Sequence, residues 1–138
     1  MSKYFLGVAR GLKLMDTETS DSYWCVPSTA IEGDNIFLYC PRSVSAARQG
    51  IFAEAIVSAS PNPMHHDNRL CSGYGLLYVP ITIRKRFKLN VTATEMKRDS
   101  LLSKAPFVRR NFQGTTFELG EKLYRRIIKL TETKDAAT

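Results

Sequence analysis

Apolar and polar residues alternate most regularly between residues 77 and 91. The odd positions read Leu77, Val79, Ile81, Ile83, Lys85, Phe87, Leu89 and Val91, seven apolar out of eight, while Arg84, Arg86 and Lys88 fall on even positions. A period of two over that length predicts one long, bent antiparallel strand with a buried face and a wet, basic face. Pro80 cannot donate to a ladder and belongs at an edge or a bulge. Three shorter runs also read as strands. Tyr4-Phe5-Leu6-Gly7-Val8-Ala9 opens the chain, Ile36-Phe37-Leu38-Tyr39-Cys40 follows a Gly33-Asp34 turn and stops at Pro41, and Ile51-Phe52-Ala53-Glu54-Ala55-Ile56-Val57 follows a small-residue loop.

Helical signals are fewer. Thr92 with Glu95 three residues on forms a capping box for a short helix through Arg98. Leu119, Leu123, Ile127 and Leu130 recur on one face and predict an amphipathic terminal helix, with Arg125 and Arg126 on its solvated side. Between them, residues 107–119 read as a turn followed by a β-rich stretch. Residues 12–22 are polar and acidic, with Asp16, Glu18 and Asp21, and read as a loop or a short helix, while residues 62–75, rich in Pro, Asn, Asp and Gly, predict a long loop. Many short strands, few helices and no βαβ alternation predict a β-rich α+β fold, a small mixed barrel. No repeat or linker divides the chain, so residues 1–138 form one domain.

Composition narrows the class. Apolar residues make up 43% and charged residues 24%, the balance of a globular domain, and no apolar run approaches the ~20 residues of a membrane helix. The opening apolar stretch is shorter than a signal-peptide core. Cys25, Cys40 and Cys71 are odd in number and lack C-x-x-C spacing, which predicts reduced thiols in a soluble, cytoplasmic protein. The net charge of +7 is uneven. Residues 1–83 carry six basic and seven acidic side chains, while residues 84–134 carry fourteen basic and five acidic. Such a half can present a basic face to a polyanion, where phosphate neutralisation and counterion release favour binding.

Catalytic patterns are missing. No phosphate-cradling glycine loop or nucleophile elbow is present. His65, His66, Asp67 and Cys71 lack the spacing of a metal site, and adjacent histidines on a strand face opposite ways. Glu32, Asp34 and Glu54 stand isolated and read as turn or surface groups. Neither a metal, a cofactor nor an enzymatic activity is expected.

Several of these segments together resemble the EVE domain of the PUA-like superfamily. They are Tyr23-Trp24-Cys25-Val26-Pro27, the Gly33-Asp34 turn, the strand ending in Tyr39, the Gly50-led strand, the long strand through Leu89, and a closing helix bearing Tyr124. The resemblance implies a PUA-like pseudo-barrel of five to six mixed strands with short helices packed around it. It also implies a non-enzymatic reader that takes a flipped modified base, modified cytosine in DNA first, into an aromatic pocket. The pocket would be formed by Tyr23, Trp24, Tyr39, Pro41 and Ser43. Arg42, Arg84, Arg86, Lys88, Arg109 and Arg110 would meet phosphates, their forked or point charges matching phosphate oxygens. Asn111 and Phe112 beside them offer an amide and a stacking face. The implied partners are modified DNA or RNA and a nuclease or restriction system, in the nucleoid of a bacterium or the nucleus of a eukaryote. An RNA-binding PUA-like module is the alternative. A nucleoside amidohydrolase of the neighbouring ASCH family stands further off, since its Gly-x-Lys-x-x-Glu-x-Arg signature has no match.

Overall fold

The computed structural model describes residues 3–9, 21–60, 76–112 and 116–136. The strands are β1 (Tyr4–Val8), β2 (Asp21–Pro27), β3 (Asn35–Cys40), β4 (Gly50–Val57), β5 (Leu76–Val91) and β6 (Thr116–Leu119). The helices are α1 (Ala93–Arg98), a 3-10 turn (Leu102–Lys104), α2 (Pro106–Arg109) and α3 (Glu121–Ala136). The loop expected at 62–75, with His65, His66 and Cys71, lies outside the described residues.

One sheet holds all six strands in the order β2-β5-β4-β3-β1-β6, with β1 and β3 parallel and every other pair antiparallel. It curls until its two edge strands meet, where Thr116 Oγ1 of β6 donates to the Cys25 carbonyl of β2 at 2.6 Å. The result is a half-barrel whose edge strands β2 and β6 lie side by side without a backbone ladder between them. Side chains alternate between two cores. Phe5, Ile36, Leu38, Ala55, Val79 and Ile81 fill the concave interior. Leu6, Phe37, Met96, Leu102, Phe107 and Ile127 pack between the convex face and the helices. Burial on both faces explains why β1 and β3 read as continuous apolar runs.

The long strand departs from simple alternation. Ala55 aligns with Ile83 and Glu54 with Lys85, so Arg84 is an extra residue. Further on, Ala53 aligns with Arg86 and Ile51 with Val91; two steps along β4 oppose five along β5, leaving three more residues extra. Each insertion resets which way the side chains point. Val79, Ile81 and Ile83 therefore face the barrel interior, whereas Phe87 and Val91 join the convex core and Leu89 is exposed. The single wet face expected to carry Arg84, Arg86 and Lys88 does not form.

Five other expectations change. Asp34 is fully buried, its carboxylate accepting the Lys3 and Ile31 N–H groups at 2.9 Å each. Glu54 is half-buried and accepts the Tyr124 hydroxyl at 2.5 Å. Cys25 is disulfide-bonded, not reduced, while Cys40 is free and buried; sequence spacing says nothing about which cysteines the fold brings together. Finally, the 3-10 turn and α2 are too short for periodicity to reveal, Pro106 at the first helical position being their one local sign. Leu119 ends β6, so the buried stripe of α3 consists of Ile127 and Thr131 flanked by half-buried Leu123 and Leu130. No helix among the described residues is long and apolar enough to cross a membrane.

Candidate nucleic-acid interface

Strands β1 and β3 run parallel and end together, with the Ala9 N–H donating to the Tyr39 carbonyl at 2.8 Å. Pro41 then ends β3, having no N–H to continue the ladder, and its carbonyl accepts from Val44 and Ser45 in a tight turn. Opposite this turn stands α1, begun by the predicted capping box: the Thr92 side chain accepts from the Glu95 N–H while the Glu95 carboxylate accepts from the Thr92 N–H. Gln49 Oε1 accepts the Ala93 N–H at 3.0 Å and ties the loop to the helix start.

The last wall comes from the end of α2. Asn111 N–H donates to the Val108 carbonyl and Phe112 N–H to the Phe107 carbonyl, the two bonds of a Schellman cap. Asn111 takes the left-handed conformation such a cap needs (φ 55°), and Phe112 follows it (φ 59°). Left-handed phenylalanine is rare and costs free energy. Here Phe112 packs edge-on against Phe107 at 5.9 Å and stacks on Tyr39 at 4.3 Å.

These parts enclose a cavity of about 650 Å³, lined on its apolar side by Val8, Ala9, Tyr39, Pro41, Val44 and Phe112. Ser43, Gln49, Thr94 and Asn111 supply hydroxyl and amide groups, and Arg42 and Lys97 supply positive charge. None of the described lining residues is a carboxylate. Burial, then neighbouring Cys40, pushes the Tyr39 hydroxyl up to about 12, so it stays neutral. The volume and lining suit a flat polar ring with an anionic appendage.

Of the expected pocket residues, Tyr39, Pro41 and Ser43 line this cavity, together with Arg42. Tyr23 and Trp24 do not. Tyr23 is 56% exposed and stacks on Tyr78 at 5.2 Å. Trp24 points into the barrel and packs on its core, where Gly7 makes room for it. Phe5, Gly7 and Ala9 share the barrel-facing row of β1, so the indole sits one strand-step below Ala9 on the cavity wall. Its Nε1 is buried without an acceptor among the described residues.

The expected phosphate residues disperse. Arg109 and Arg110 are exposed immediately before Asn111 and Phe112. Arg86 lines a second, smaller cleft, Arg84 lies within electrostatic reach of the Tyr124 hydroxyl, and Lys88 is exposed. Gln49, Thr94 and Lys97 were not singled out from the sequence. Thr94 and Lys97, three apart on α1, share a helix face by spacing, but only packing shows what that face meets. No cluster of metal-ligating side chains occurs among the described residues.

This architecture is a β-rich α+β pseudo-barrel of six mixed strands with short helices packed around it and a C-terminal helix. No protein-family model matches the chain, and no curated protein matches it. Solved structures do match. A hypothetical protein from Leishmania major superposes with a TM-score of 0.72 at 15% identity, covering 98% of each chain. The human THYN1 protein in complex with 5-methylcytosine containing DNA gives 0.69 at 12% identity, covering 95% of this chain and 98% of that one. The YTH domain of the Zygosaccharomyces rouxii MRB1 protein in complex with N6-methyladenosine RNA gives 0.52 at 16% identity, covering 94% and 86%. At these identities the likeness is one of fold.

Proposed function

We propose that this chain is a nucleic-acid-binding reader of the EVE type that accommodates a flipped modified base, modified cytosine in DNA, in the cavity at the ends of β1 and β3. The observation that carries this reading is the cavity itself, which joins an aromatic wall, edge-reading hydroxyls and amides, and two cations. Extruding a base costs a few kcal/mol of stacking and pairing. Contact with Tyr39 and Phe112, and hydrogen bonds from Ser43 and Asn111 to the base edge, offset that cost. Arg42 and Lys97, with Arg109 and Arg110 outside, take the phosphates on either side. Tyr23 takes no part. Two structural neighbours with methylated bases on this fold support the reading, and the RNA complex among them makes RNA the second candidate.

Fluorescence anisotropy at one salt concentration tests it. The probes are DNA and RNA oligomers bearing cytosine, 5-methylcytosine, 5-hydroxymethylcytosine, adenine or N6-methyladenine at one position. Preference for a modified-cytosine DNA probe of tenfold or more is expected. Preference for methylated RNA would transfer the site to the second candidate, and equal binding to all probes would reduce the cavity to a feature without a base-reading role.

A further inference from the structure

Gln49 lines the cavity from the loop between β3 and β4, and the fold fixes it there from both sides. Before it, the Arg48 N–H donates to Ser45 Oγ at 3.2 Å and the Arg48 carbonyl accepts Asn90 Nδ2 at 2.7 Å. After it, Gly50 has a φ of +124°, and a Cβ there would lie 2.6 Å from the Val91 carbonyl oxygen. Glycine lets β4 begin this close to the end of β5. The residue between these anchors is set against the start of α1.

The Ala93 N–H, one of the donors that a helix start leaves without an intrahelical partner, meets Gln49 Oε1 at 3.0 Å. Only the oxygen of a side-chain amide can accept an N–H, so this bond fixes which way round the amide lies. Oε1 is engaged by the helix, and Nε2 carries two hydrogens that no acceptor among the described residues takes. The neighbouring neutral groups are under no such constraint. The Ser43 and Thr94 hydroxyls rotate and the Asn111 amide can turn, so each either donates or accepts. We infer that Gln49 is a specificity-determining residue, a fixed donor that selects a base presenting adjacent acceptors, the O2–N3 edge of cytosine, over adenine. A flipped base is read on its Watson–Crick edge. There cytosine sets the O2 and N3 lone pairs side by side, whereas adenine sets N1 beside its N6 amine, whose hydrogens repel a second donor. The identity of the ligand as a base rests on the proposed reader function.

The test is Gln49→Glu, which keeps an oxygen for the Ala93 N–H and replaces the two donors with lone pairs. Gln49→Met removes the donors without adding a charge, and thermal melts check both folds. Binding is measured at one salt concentration to DNA oligomers that differ only in carrying 5-methylcytosine or N6-methyladenine at one position. The charge that Gln49→Glu adds acts on a backbone common to both probes and cancels in the ratio of affinities. Wild type is expected to prefer 5-methylcytosine tenfold or more. That ratio is expected to fall about fivefold in Gln49→Met, the worth of one hydrogen bond, and further in Gln49→Glu, whose lone pairs face those of the base. A ratio unchanged in both variants overturns the role of Gln49 and leaves the reader standing. An equal loss on both probes also overturns it, making Gln49 a support of α1. A wild type that prefers N6-methyladenine overturns it too, while still reading a modified base. Equal wild-type binding to both probes removes the reader and the role of Gln49 together.

Discussion

A methyl group added at Gly7 would lie 2.2 Å from Trp24 Nε1 and 3.0 Å from Ile36 Cδ1. Trp24 is wedged against strand β1 with no room for a side chain between them. Gly7→Ala is therefore expected to destabilise the fold by about 1–3 kcal/mol through overpacking and to shift the emission of Trp24, the only tryptophan. Urea denaturation followed at that emission reads both, and an unshifted midpoint would mean the indole relocates freely. At Asn111 the left-handed cap discriminates among side chains. Asn111→Gly is expected to stay within about 0.5 kcal/mol of wild type, and Asn111→Val to lose about 1–2 kcal/mol, because a β-branched side chain resists that conformation.

Between elements, one carboxylate ties the helical layer together. Asp99 follows α1, accepts the Leu101 and Leu102 N–H groups with Oδ2, and receives Arg126 Nε of α3 at 2.7 Å on Oδ1. Arg126, then the two backbone donors, hold the Asp99 carboxyl below the usual carboxylate range against the opposing effect of burial. Removing it with Asp99→Ala strands two backbone donors and is expected to cost about 2–3 kcal/mol. The linked pH dependence has a definite sign. A depressed folded pKa contributes stability that is complete above the unfolded value of about 3.9 and is lost as pH falls through the folded one. Glu95 behaves alike: burial opposes its ionisation, but Lys134 and Thr92 overcome that and lower its pKa. Denaturation midpoints measured from pH 7 to pH 3 should fall below about pH 4 in wild type, and less steeply in Arg126→Gln. Parallel profiles would show that the Arg126 contact is not what depresses Asp99. The capping box of α1 was fully legible beforehand, since its four residues are consecutive. Its partner Asp99 was not, because its donors lie on the next turn and on a helix 27 positions away.

Over the whole molecule, the basic second half of the chain supplies the end of β5, every helix among the described residues, and one side of the cavity. Arg109→Ala with Arg110→Ala is expected to lower the salt slope of DNA binding by about one to two units without altering base preference. A lost preference would instead place those residues in the base site. Strands β1, β3, β4 and β5, the capping box, the amphipathic terminal helix and the charge asymmetry could be read directly, because periodicity, caps and net charge are properties of neighbours along the chain; β2, overlapping a segment read as a loop or short helix, could not. The β-rich barrel class followed from them. Tertiary structure alone decided the rest. Register between β4 and β5 determined where the long strand bulges, and so which arginines point together. Curling of the sheet set Trp24 against Gly7. Parallel pairing of β1 with β3 brought Ala9, Tyr39, Lys97 and Phe112 around one cavity. Those residues span more than a hundred positions, and no local pattern encodes which distant strand ends will meet.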